Sequence, residues 1–99
     1  LWNSGTNPDQ IAHVDQSQIF CVDFCDSLDA FGERGDSAQS GRNVWPGGGR
    51  IPLKEWVDAV RATGFDGIWR CELLSSKYWE LDPWQTARDL KTFLEYLLV

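Results

Sequence analysis

Two short runs rich in strand-forming residues, at positions 19–25 and 67–74, bracket an amphipathic helix, and this order constrains the fold more than any other feature of the chain. Strand, helix and strand make a parallel unit whose crossover is right-handed, which brings the carboxyl ends of both strands to one rim. In a sheet of this kind, covered by helices, ligands gather at those ends. The second run, Gly67-Ile68-Trp69-Arg70-Cys71-Glu72-Leu73-Leu74, carries a carboxylate near its end. Glu is depleted in strands, and an ionised carboxylate is costly to bury without a cation or donors beside it. Glu72 is therefore expected to serve a partner.

Alternation sets the faces. In the first run Phe20, Val22 and Phe24 share one face, expected to pack under helices, and Cys21, Asp23 and Cys25 share the other. In the second, Ile68, Arg70 and Glu72 oppose Trp69, Cys71 and Leu73. Each strand thus has a polar face carrying one carboxylate.

The helices announce themselves by their ends. Asn7-Pro8-Asp9-Gln10 reads as a helix start, with Asn7 as cap, Pro8 at the first position and Gln10 reaching back, and predicts a short helix over 8–14. Pro52 opens a helix whose apolar Leu53, Trp56, Val57 and Val60 recur at helical spacing, and Gly64 closes it. Asp82-Pro83-Trp84-Gln85 repeats the first start signal, and Trp84, Ala87, Leu90, Phe93, Leu94, Leu97 and Leu98 form the apolar face of the last helix. Between strand one and Pro52 the chain is polar and rich in glycine, as expected of a functional loop with a mobile middle.

Composition excludes several classes. The 99 residues carry 15 acidic against 9 basic side chains, a net charge of −6, which argues against a nucleic-acid footprint. No apolar run approaches a membrane span and no signal region opens the chain, so a cytoplasmic, single-domain protein is expected. Cys21, Cys25 and Cys71 fall within strand runs and are expected to be reduced core residues. The chain lacks Met and carries six Trp and five Phe, which suits a piece of a larger core.

Asp23 and Glu72, at matching depths, can share a divalent cation; alternatively each pairs with an arginine such as Arg70 or Arg42. Asp26 and Asp29 follow strand one and read as turn or capping residues. Pro46-Gly47-Gly48-Gly49 is a tight turn and only a weak phosphate signal, since it lacks the ending of a P-loop. Arg42 is a candidate substrate contact or a solvated loop residue, and His13, the one histidine, reads as a surface residue.

Three stretches in order resemble the xylose-isomerase-like TIM barrels, the sugar phosphate isomerase/epimerase family. Residues 19–26, ending in Asp26, look like the seventh strand. Arg42 with Pro46-Gly47-Gly48-Gly49-Arg50-Ile51-Pro52-Leu53 looks like the loop into the next helix, and Gly64-Phe65-Asp66-Gly67 with Glu72 looks like the eighth strand. The resemblance implies an α/β fold, the C-terminal part of a (β/α)8 TIM barrel, with about two parallel strands and three helices spanning residues 1–99. It implies a divalent metal (Mn, Mg, Co or Zn) near the barrel axis, with Glu72 as a ligand that also transfers protons. Asp23 stands where the family usually has His or Gln, a departure that alters the metal preference or removes the ligand. Arg42 matches a loop arginine that contacts substrate.

The expected function is that of a fragment of an isomerase or epimerase acting on a small polyhydroxylated substrate, inactive by itself. Two other readings remain: a 3-dehydroshikimate dehydratase-like lyase, for which Tyr78-Trp79 beyond Glu72 suits a planar acid, and a non-catalytic half-barrel that self-associates through its strand edges.

Overall fold

A computed structural model describes residues 1–33, 42–73 and 78–99, with Arg42 and Asn43 described by backbone alone. The mobile middle expected of the long loop, together with Leu74 and the loop over 75–77, lies outside the described residues. In chain order the elements are α1 (Pro8–Ala12), β1 (Cys21–Phe24), β2 (Asp26–Ser27), β3 (Arg42–Val44), α2 (Leu53–Ala62), β4 (Ile68–Cys71) and α3 (Pro83–Leu98), with single 3-10 turns at Trp2–Ser4 and Gln16–Gln18. This is the expected α/β order of two parallel strands and three helices.

The strands β1 and β4 pair in parallel, with Cys21 opposite Ile68, Val22 opposite Trp69, Asp23 opposite Arg70 and Phe24 opposite Cys71. The ladder continues one step, since Glu72 N–H donates to Phe24 C=O at 2.8 Å. Exposure follows the predicted alternation: Cys21, Asp23, Ile68, Arg70 and Glu72 are exposed, while Phe24 is buried and Val22, Trp69 and Cys71 are half-buried. Phe24 packs with Leu53, Val57 and Leu97 in the core, and Ile51, Trp69, Cys71, Phe93, Leu94 and Leu98 surround them. Each fully buried side chain of this size contributes about 1.5–3 kcal/mol.

The helix signals translate into bonds. Gln10 Oε1 accepts the Asn7 N–H at 2.8 Å, and Asp82 Oδ1 accepts those of Trp84 and Gln85 at 2.9 and 3.3 Å. Gly64, at φ 87, takes the left-handed turn after α2 that a side chain would oppose. Lys54 Nζ donates to the Leu97 carbonyl at 3.0 Å and Arg61 donates to that of Leu98, so two cations of α2 cover the negative end of α3.

Several expectations need correction. α1 ends at Ala12, two residues early. Phe20 is 87% exposed and not under the helices, because the β1–β4 ladder begins only at Cys21. Cys21 is exposed for a related reason, as it faces away from α2 and α3. Trp84, at 75% exposure, and Ala87 leave the first half of the α3 stripe uncovered. Finally, the long loop holds an antiparallel pair, β2 with β3, whose irregular two-residue strand begins with Asp and has no β-propensity signature.

Candidate functional site at the strand carboxyl ends

The register sets Asp23 directly across from Arg70, and the two side chains meet. Arg70 Nε donates to Asp23 Oδ1 at 2.7 Å and Nη2 to Oδ2 at 3.0 Å, a bidentate pair with both partners about half exposed. Nη2 also approaches Cys21 Sγ at 3.6 Å. The hydrogen bond and charge of Asp23 raise the guanidinium pKa above its ordinary value, with smaller contributions from Cys21 and Glu72. Asp23 thus pairs with Arg70, one of the arginines named for it.

Glu72 lies two residues beyond Arg70, hence on the same face, just past the end of β4. Its backbone is held by Phe24, while its carboxylate makes no hydrogen bond or ion pair among the described residues. It is the carboxylate of this rim left available for an external partner. Among the described residues no three His, Cys, Asp or Glu side chains gather to hold a metal ion. Among the described residues this rim presents two candidate donors, Glu72 and Asp23, against the four of a tetrahedral zinc site.

Asp26, read from sequence as a turn residue, proves to be the organiser of the neighbouring loop. It is 1% exposed. Its Oδ1 accepts N–H groups from Ser27 at 2.8 Å and Ile51 at 3.1 Å, and its Oδ2 accepts those of Gly47 at 2.9 Å and Gly49 at 3.0 Å. A Cβ on Gly49 would overlap Asp26 Oδ1 and the Ser27 carbonyl, so glycine is required where the loop crosses the carboxylate. The weak phosphate signal of Pro46-Gly47-Gly48-Gly49 is thereby explained without a ligand: two of its N–H groups already serve an internal anion. No spacing rule finds this site, because the four donors lie between 1 and 25 positions from Asp26.

Arg42 lies on β3 opposite Ser27, and its side-chain role lies outside the described residues. The Tyr78 hydroxyl accepts the Trp45 N–H at 3.0 Å, with the rings 6.1 Å apart, which ties the segment after β3 to the one after β4. His13 is exposed at the end of α1, as expected. Burial raises the thiol pKa of Cys71, which packs at the edge of the core. A cleft of about 210 Å³ between the first turn, β1 and α2 is lined mostly by apolar side chains, among them Trp2, Val22, Ile51 and Trp56, together with Asp23, Cys25 and Asp26. No helix among the described residues is long and apolar enough to cross a membrane.

No family model and no curated protein matches the chain. A solved structure does: the crystal structure of the IolI protein with a bound zinc atom aligns with a TM-score of 0.75 at 25% identity. The alignment covers 95% of this chain and 33% of the IolI chain, so the sequence spans about a third of that protein.

Proposed function

We propose that this chain is the carboxyl-terminal part of a (β/α)8 barrel from a divalent-metal-dependent isomerase or epimerase, one that moves a proton beside the carbonyl of a small sugar, sugar phosphate or polyol. The observation that carries the reading is the correspondence of nearly the whole chain with one third of a zinc-binding protein, with Glu72 at the rim where the strands end. The fold class and strand polarity agree with it.

Within this reading Glu72 binds the metal and takes part in proton transfer, for which an exposed carboxylate without an internal partner is suited. Asp23 is the second donor; both its oxygens accept from Arg70, yet each keeps a further lone pair. The two residues fit a metal as part of a set whose other members come from other strands of the barrel. The metal, when bound, polarises the substrate carbonyl. Arg42, on the segment after β1, contacts the substrate.

The test is a graft. This chain replaces the matched third of the IolI protein, and bound metal is counted by plasma mass spectrometry after purification. The folded graft is expected to retain zinc, and Glu72→Ala to lower its occupancy by at least about tenfold. A folded graft without metal, or one indifferent to Glu72→Ala, overturns the assignment.

A further inference from the structure

The Asp23–Arg70 pair carries an inference that rests on the metal reading above and deepens it. The parallel register fixes the pair, since Asp23 and Arg70 stand opposite each other on neighbouring strands. Three contacts hold the guanidinium: Nε on Asp23 Oδ1 at 2.7 Å, Nη2 on Asp23 Oδ2 at 3.0 Å, and Nη2 near Cys21 Sγ at 3.6 Å. A fork of this kind takes the facing lone pair of each carboxylate oxygen. The outer lone pairs diverge, so a cation meets Asp23 through one oxygen instead of two. Glu72 follows Arg70 by two residues on the same face, about 7 Å further along the strand direction. Its charge helps to raise the Arg70 pKa, behind the hydrogen bond and charge of Asp23 and the charge of Cys21. One guanidinium thus answers to both carboxylates offered to the metal, through contacts that run between paired strands of the chain itself.

We propose that Arg70 is a specificity-determining residue of this rim: its guanidinium competes with the metal for Asp23 and Glu72 and holds metal affinity below what the two carboxylates alone would give. The affinity of an oxygen-rich site rises with the charge its ligands bring. Asp23 and Glu72 bring two negative charges and Arg70 cancels one, so the rim offers a dication a net single charge. The guanidinium also repels a dication directly, an effect that is large at separations of a few ångström. Arginine suits the role, because its planar fork locks on a carboxylate and does not lose its proton. Its charge therefore persists wherever the carboxylates are ionised. Arg70 acts through the ligands it touches, and its effect is read in metal affinity.

Zinc titration of the metal-free graft, against a chromophoric chelator, tests the competition. Arg70→Met and Arg70→Gln, which drop the charge, are expected to lower the zinc Kd by at least about tenfold, whereas Arg70→Lys, which keeps it, stays within about threefold of the parent graft. Should Arg70→Met fail to fold by circular dichroism, Arg70→Gln decides. Loss of a side chain that only packed or paired would loosen zinc or leave it unchanged, so tightening is the mark of a competitor. Zinc held through Glu72, with a Kd that both neutral variants raise or leave within about threefold, overturns this inference and leaves the metal reading standing. Tightening by Arg70→Lys equal to that of Arg70→Met overturns it as well. A folded graft that takes up no zinc, in the parent and in every Arg70 variant, overturns both.

Discussion

Three carboxylates near the ends of two strands meet three fates. Asp23 is engaged by one guanidinium, Asp26 is enclosed by four N–H groups, and Glu72 faces outward. The physical difference is burial. Asp26 is inaccessible to water, so its charge is tolerable only because donors replace the hydration it lost. Asp26→Ala is expected to strand buried donors and to cost more than about 3 kcal/mol, read as a fall in the urea midpoint, whereas Asp23→Ala, at a half-exposed pair, costs about 1 kcal/mol or less. Equal costs for the two substitutions would show that the loop is not built around Asp26. Sequence identified all three acids but could not rank them, because the donors to Asp26 are backbone groups far along the chain.

Elements were the more legible scale. The helix over 53–62 and the last helix follow from apolar periodicity and from end residues that act within one turn of themselves. Asp82 illustrates this, since its carboxylate accepts from N–H groups two and three residues on. Asp82→Ala is expected to fray the start of α3 and lower stability by about 1 kcal/mol, with Asp82→Asn nearly neutral; an unaffected thermal midpoint in the alanine variant would contradict the cap. The β2–β3 pair escaped notice because its strands are two and three residues long and carry no alternation. Likewise the stripe of α3 was legible, but not that Trp84 and Ala87 would have nothing to cover them.

At the scale of the whole molecule, α2 and α3 cover one face of the β1–β4 pair among the described residues. An active site in the proposed class needs donors from several strands and a site shielded from water, which the single parallel pair β1–β4 seen among the described residues does not supply. The chain assayed alone with Mn or Mg against sugars and 3-dehydroshikimate is therefore expected to show no turnover; clear turnover would mean that this third suffices.

Sequence by itself determined the α/β order, the parallel direction of the strands, which residues share a face, and that Asp23 and Glu72 lie on one rim. These follow from local geometry: a two-residue repeat in strands, a 3.6-residue repeat in helices, and the handedness of the crossover. Only the tertiary structure decided that Arg70 takes Asp23, that Asp26 takes the glycine loop, and that Glu72 is left facing outward. A carboxylate's role depends on which donors reach it across the fold, and those donors stand up to 47 residues away in the chain.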